Sequence, residues 1–284
     1  MIYTKGKNFI KINDKSQFNI THILECGQVF CYEKIDENHY FVFPANKTAE
    51  IIDNGKEIII KTSDVNYFID WFNLDVDYSS IKTELSKHSI MKSPIEFGYG
   101  IRILKQDIFE TLISFIISAN NNIKRIKLIL NNLREALGDK IEGSNFKSFP
   151  SYEKLLSCDE NFFKSVGSGY RASYLFKVLR QINMEDLSDW QNLKTKDLRS
   201  KLIELNGVGP KVADCLLLFG YNRFDVFPVD TWIEKMYNQY YSPLTNREKI
   251  SQNLVKEFGI YSGYAQQYLF YYQRSFIGNA TKLA

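Results

Sequence analysis

The stretch Leu205-Asn206-Gly207-Val208-Gly209-Pro210-Lys211-Val212-Ala213-Asp214-Cys215 decides how this 284-residue chain is read. Thr195–Leu205 before it has a helical pattern, and Pro210–Gly220 begins another helix. Two glycines spaced by one residue make a tight turn between them. Pro210 takes the first position of the second helix, where its missing N–H removes no hydrogen bond. Lacking Cβ atoms, Gly207 and Gly209 let another backbone come close. The unpaired N–H groups and positive end of the new helix then face outward as an anion site, which suits a DNA phosphate. An ordinary helix–turn–helix corner produces the same pattern, so these residues alone leave both readings open.

Lys211 adds chemistry. It stands in the first turn of a helix, where the dipole disfavours a cation. Together with burial, that field favours the neutral amine, a nucleophile able to form a Schiff base. The simpler reading pairs Lys211 with Asp214 or with a phosphate. Downstream lies Phe227-Pro228-Val229-Asp230-Thr231-Trp232. Thr231 and Glu234 match a capping box, so a helix starts there. Asp230 can be a further capping residue. It is also a carboxylate suited to accept a proton or to stabilise positive charge developing on a sugar ring.

Outward from this segment the chain changes character. At roughly 150 residues per domain its length suggests about two domains. Gln28–Ile35 and Tyr40–Pro44 read as strands around the turn Asp36-Glu37-Asn38. Ala49–Ile52 and Lys56–Lys61 flank Asp53-Asn54-Gly55, a hairpin signal expected to need positive φ at both central residues. From Val65 the period becomes helical. Val65–Phe72 and Ser79–Lys87 are short helices, and Ile108, Leu112, Phe115 and Ile116 form one apolar stripe in Asp107–Ala119. Further helices are expected over Asn122–Leu137, Tyr152–Leu156, Tyr170–Ile182, Thr231–Tyr240, Asn246–Phe258 and Ser262–Arg274. The reading is α+β: a small antiparallel β-rich domain over residues 1–90, then a mostly helical body over 91–284.

Composition sets the bounds. With 44% hydrophobic and 24% charged residues the chain is globular rather than disordered, collagen-like or coiled-coil. Its net charge is only +3, so any basic surface must be local. Cys26, Cys31, Cys158 and Cys215 contain no CxxC, and His22, His39 and His88 do not join them at zinc spacing, so neither a structural metal nor an iron–sulfur cluster is expected. The N-terminal residues lack the apolar core of a signal peptide, and the apolar run around Phe109–Ala119 is too short to span a bilayer. The expectation is an intracellular protein with reduced thiols and no membrane partner.

LNGVGPKVADC followed by PVDTW resembles the helix–hairpin–helix DNA glycosylases with a Gly/Pro-rich loop and an essential Asp, and within them the 8-oxoguanine DNA glycosylases. Lys at position 211 is similar to the bifunctional members, which excise a base and nick the strand. Ser118-Ala119-Asn120-Asn121-Asn122-Ile123-Lys124-Arg125, Gly167-Ser168-Gly169-Tyr170-Arg171-Ala172 and Gly263-Tyr264-Ala265-Gln266-Gln267-Tyr268-Leu269-Phe270 extend the likeness over nearly the whole chain. The iron–sulfur branch carries a C-terminal four-cysteine cluster, which is missing here.

The resemblance implies a TATA-binding-protein-like N-terminal domain and a helix–hairpin–helix body. It also implies roles. Lys211 attacks C1′ of a nucleotide flipped out of the duplex, and Asp230 assists. Phe270 stacks on the flipped purine, Gln266 reads its edge, and Cys215 lies against the other face. Pro228 belongs to the same base pocket. The Gly27 carbonyl accepts N7–H of the oxidised base, where normal guanine presents a lone pair. Asn120 fills the vacated space, Arg125 and Arg171 read the opposite cytosine, Tyr170 wedges the duplex, and Gly207 and Gly209 meet a phosphate. Carbonyls of Ile203, Leu205 and Val208 correspond to a structural monovalent-cation site, and no other cofactor is required. Trp232 stands where one branch has His, so a phosphate contact there is not carried over.

The implied partner is double-stranded DNA containing oxidised guanine, and the implied enzyme is a monomer acting in the cytoplasm or nucleoid, or the nucleus if eukaryotic. A related glycosylase with another lesion preference, and a non-catalytic DNA-binding protein using only the hairpin, remain the alternatives.

Overall fold

The computed structural model describes residues 3–280, with side chains through Phe276. Residues 1–2 and 281–284, the outer ends of the two expected domains, lie outside the described residues.

Six strands form one antiparallel sheet: β1 (Tyr3–Lys5), β2 (Phe9–Ile12), β3 (Tyr32–Asp36), β4 (His39–Val42), β5 (Ala49–Asp53) and β6 (Ile58–Lys61). Their order is β1-β2-β6-β5-β4-β3. The register aligns Ile10, Ile60, Ile51 and Tyr40 across four strands, and all four are fully buried. This apolar face covers α1 (Ile20–Leu24) and α2 (Val65–Trp71) in one core.

The rest is helical. The helices are α3 (Tyr78–Leu85), α4 (Lys92–Phe97), α5 (Ile108–Ser118), α6 (Ile123–Leu137), α7 (Tyr152–Leu156), α8 (Glu160–Ser165), α9 (Arg171–Val178), α10 (Met184–Asp189), α11 (Thr195–Ile203), α12 (Pro210–Phe219), α13 (Thr231–Tyr240), α14 (Arg247–Phe258) and α15 (Ser262–Ala280). They surround a second core that also takes in Cys26, Phe30 and α3. The single stripe expected on α5 is too narrow a description. Every residue from Phe109 to Ile117 is buried, because α5 is the central helix and is covered on all sides.

Several local expectations change. Gln28–Cys31 does not join the sheet. The buried Gln28 amide instead donates to the carbonyls of Ile23 and Arg102 and accepts from the Leu104 N–H, which ties this segment to 102–104. The 54–57 loop is not a turn with two left-handed residues. Only Gly55 has positive φ, +89°, while the Asn54 side chain caps the N–H groups of Lys56 and Glu57. Strands β1 and β2 and helices α1, α4, α8 and α10, none of them expected, are short elements whose patterns barely exceed one period.

The two cores are pinned by Arg102. Its side chain is wholly buried, lies 4.3 Å over the Tyr78 ring, and donates to the carbonyls of Gln17, Phe72, Asn73 and Val76. No helix among the described residues is long and apolar enough to cross a membrane.

Candidate active site

The hairpin between α11 and α12 is built on one glycine in particular. Gly207 has φ +83°, and a Cβ on it would lie 2.7 Å from Cβ of Tyr174. Both the left-handed backbone and the close approach therefore exclude a side chain. Gly209 differs: it is the extended N-cap of α12, with open space where a Cβ would stand and no side-chain cap on the helix. The uncapped N–H groups of the first turn face the surface beside exposed Gly209 and Pro210.

Lys211 is half-buried in that turn, with Nζ 5.1 Å from the centre of the Phe115 ring. Asp214 does not pair with it. Asp214 is taken by Arg199 on α11, at 2.6 Å, and Arg199 in turn contacts Glu248. Burial pushes the Asp214 carboxyl up to about 6, against the opposing pull of Arg199. Among the described residues no carboxylate lies within 4.0 Å of the Lys211 amine. One turn on, Cys215 is buried. Desolvation pushes its thiol up to about 11, and both the Lys211 charge and the Asp230 charge act on it from close by. Lys211 and Asp230 thus both lie within electrostatic reach of Cys215.

Asp230, rather than Thr231, is the N-cap of α13. Its Oδ1 accepts the N–H groups of Trp232 and Ile233, both at 3.0 Å, so the cap stands one residue earlier than expected and Thr231 and Glu234 form no capping box: N3 is Ile233, and Glu234 pairs with Arg247 instead. Oδ2 accepts nothing from the described residues and stays available. Pro228 is buried in the segment leading to this cap, which Ser251 Oγ anchors by donating to the Phe227 carbonyl.

A second group forms where α15 meets the turn after α1. Gly27 has φ +89°, and a Cβ there would lie 3.0 Å from the Phe270 ring. Gln266, one turn before Phe270, is 6% exposed, yet among the described residues its side chain makes no hydrogen bond and its buried Oε1 has no partner. Sequence reasoning missed the supports of this turn. Gln267 donates to the Cys26 carbonyl at 3.0 Å, and Arg274 donates to the Glu25 carbonyl.

The third group faces outward. Asn120 is exposed at φ +49°. The carbonyl before it, on Ala119, accepts Tyr170 Oη and Arg171 Nε, and Arg171 Nη2 also holds the Asn120 carbonyl at 2.7 Å. Arg171 is 6% exposed, so its donors brace this left-handed loop. Arg125 is exposed, with one bond to the Gly167 carbonyl, and Tyr170 is 55% exposed. Ala119, Tyr170, Tyr174, Gly207, Gly209 and Lys211 line one cleft of about 560 Å³, which brings exposed Tyr170, the hairpin and the amine together.

Residues 10–112 match the family described as 8-oxoguanine DNA glycosylase, N-terminal domain, and residues 113–259 match the HhH-GPD superfamily of base excision DNA repair proteins. The chain belongs to the 8-oxoguanine DNA glycosylase family. The two family segments meet inside α5. Among its relatives, the N-glycosylase/DNA lyase of Saccharomyces cerevisiae is 31% identical over an alignment covering 95% of this chain and 86% of the relative. A probable N-glycosylase/DNA lyase of Methanothermobacter thermautotrophicus is 31% identical, covering 72% of each. The structure of Clostridium acetobutylicum 8-oxoguanine glycosylase/lyase, in complex with double-stranded DNA containing cytosine opposite 8-oxoguanine, superimposes with a TM-score of 0.89. It shares 35% identity and covers 97% of this chain and 98% of that one.

Proposed function

We propose that this member of the family excises 8-oxoguanine from duplex DNA, with cytosine preferred opposite, and then nicks the abasic site. The observation that carries the reading is Lys211. It sits in the first turn of an uncapped hairpin helix, its neighbouring carboxylate is consumed by Arg199, and Asp230, within electrostatic reach of Cys215 one turn on, has one oxygen uncommitted.

The chemistry follows from those positions. The Lys211 amine forms a bond to C1′ of the flipped nucleotide as the C1′–N9 bond breaks and the base departs with that electron pair. Asp230 stabilises positive charge developing on the sugar, and its free oxygen can take a proton from the attacking amine. The nitrogen then expels O4′: the C1′–O4′ bond breaks, O4′ takes up a proton, and the opened sugar carries the Schiff base. Loss of a C2′ proton from this Schiff base expels the 3′ phosphate and cuts the strand. Phe270 and Cys215 sandwich the base beside Pro228, Gln266 reads its edge, and the Gly27 carbonyl accepts N7–H. Asn120 fills the vacated stack and Tyr170 wedges the duplex. Arg125 reads the opposite cytosine. Arg171 shares that role chiefly by holding the Asn120 loop, given its carbonyl bonds. Gly207 and Gly209 bring the backbone to a phosphate.

The hairpin is also suited to a monovalent cation. Among the described residues no backbone N–H is directed at the carbonyls of Ile203 and Val208, and that of Leu205 accepts the Val208 N–H alone, at 3.0 Å. Bound there, a cation adds positive charge beneath the phosphate. The place of action is wherever the cell keeps its DNA: the cytoplasm or nucleoid, or the nucleus in a eukaryote.

Single-turnover base release from duplexes bearing 8-oxoguanine, other lesions or guanine, each opposite all four bases, tests the reading. Release of 8-oxoguanine opposite cytosine ahead of the other duplexes supports it. Faster release of a different lesion assigns the chain another substrate.

A further inference from the structure

The turn around Gly27 is held in an unusual way. Three backbone carbonyls in it receive side-chain donors: Glu25 from Arg274, Cys26 from Gln267, and Gln28 from Gln106. The Gly27 carbonyl, in the middle of the series, receives none from the described residues. Three donors thus fix the frame and leave a single acceptor in it uncommitted. Arg274 does more than complete the frame. Among the described residues its buried Nη1 has no hydrogen-bond partner, and it lies 2.6 Å from where a Cβ of Gly27 would be, as the edge of Phe270 does at 3.0 Å. A buried guanidinium donor left without an acceptor is costly, and this one stands against Gly27, the residue whose carbonyl is free.

Oxidation of guanine changes two adjacent positions: N7 gains a hydrogen and C8 gains an oxygen. The two groups lie side by side, as in a lactam, a donor next to an acceptor. The Gly27 carbonyl and Arg274 Nη1 form the complementary pair, an acceptor next to a donor. We propose that Arg274 donates a hydrogen bond to O8 of the flipped base, so that both altered positions of the lesion are read at once. Normal guanine then fails twice, with an N7 lone pair facing the carbonyl and C8–H facing the guanidinium. The inference deepens the 8-oxoguanine reading above and rests on it. It also gives Gly27 a second reason to be glycine, since any side chain there would displace Arg274.

The test crosses the protein with the substrate. Single-turnover base release is measured for the wild type, Arg274→Lys and Arg274→Met on duplexes carrying 8-oxoguanine or 8-thioguanine opposite cytosine. The sulfur analogue keeps N7–H but replaces O8 with a weak acceptor. Its different leaving ability cancels when the oxo-to-thio ratio is compared between variants. Loss of a charge-assisted hydrogen bond predicts that Arg274→Met lowers release of 8-oxoguanine about 10-fold more than release of the thio base, any loss from the weakened Glu25 support falling on both bases alike. The ratio therefore falls by that factor, and Arg274→Lys recovers part of it. Equal losses on both bases, or no loss on either, overturn the contact and leave Arg274 only a support of the Glu25 carbonyl. Should Arg274→Met melt below the assay temperature, the ratio in Arg274→Lys decides, and an unchanged wild-type ratio overturns the contact. Release of neither base by the wild type overturns the function, and this inference with it.

Discussion

Asp214 lies three residues beyond Lys211 in sequence, yet its carboxylate bonds Arg199 on the preceding helix, at 2.6 Å. This pair spans the hairpin and leaves the amine without an internal counter-ion. Removing Arg199 strands a buried carboxylate, so Arg199→Ala should cost about 3 kcal/mol at neutral pH. The Asp214 carboxyl already stands near 6, above its unfolded value, and loses the group that pulls it down. Protonation then relieves the variant at low pH, and the gap to wild type widens as pH rises through 6. Urea unfolding at pH 5 and pH 8 measures this, and a gap independent of pH would contradict it.

Asp230 has two separable duties, because one oxygen caps α13 and the other is uncommitted. Asp230→Asn keeps a good capping oxygen, so the melting temperature should change little. Base release should fall by about 10²–10⁴-fold, the usual worth of a positioned acid–base or charge-stabilising group. Asp230→Ala should lose a further ~1 kcal/mol of stability with the cap. Wild-type rates in Asp230→Asn would remove the residue from the chemistry.

The two hairpin glycines should respond differently. Gly207→Ala meets Tyr174 and a left-handed backbone, and should destabilise the fold by about 1–3 kcal/mol. Gly209→Ala has space and extended φ, so stability should hold while DNA affinity drops, since the new methyl group obstructs the phosphate. Thermal melts and fluorescence-anisotropy titrations on the same two variants separate folding from binding.

His22 is enclosed by Phe97, Tyr99 and Tyr271, and burial lowers its imidazole to about 4. The unfolded chain binds this proton near 6.5, so the stability contributed by neutral His22 is complete above that pH and is lost as pH falls from 6.5 towards 4. Measured unfolding free energies should decline over this window more steeply in wild type than in His22→Gln. Parallel curves would exclude His22 as the titrating group.

What the sequence reveals and what it conceals divide along a physical line. The hairpin, the Asn122 and Asp230 neighbourhoods and the i, i+4 pair Gln266/Phe270 are written in local spacing, because glycine conformation, caps and helix faces depend on residues within one or two turns. The members that went unseen bond across long separations. Gln28 reaches Arg102, Gln267 reaches Cys26 over 241 residues, and Arg274 reaches Glu25 over 249. Each is a side chain satisfying a distant carbonyl, and no periodicity records that. The Lys211–Asp214 pairing failed for the same reason: the partner that wins is on another helix.

Borohydride trapping on a duplex with 8-oxoguanine opposite cytosine examines the central claim, that the Lys211 amine is the nucleophile. Wild type should give a covalent protein–DNA adduct, while Lys211→Gln should give none and still bind the duplex. Persistent trapping in Lys211→Gln, or no adduct from the wild type while base release proceeds, would contradict the account.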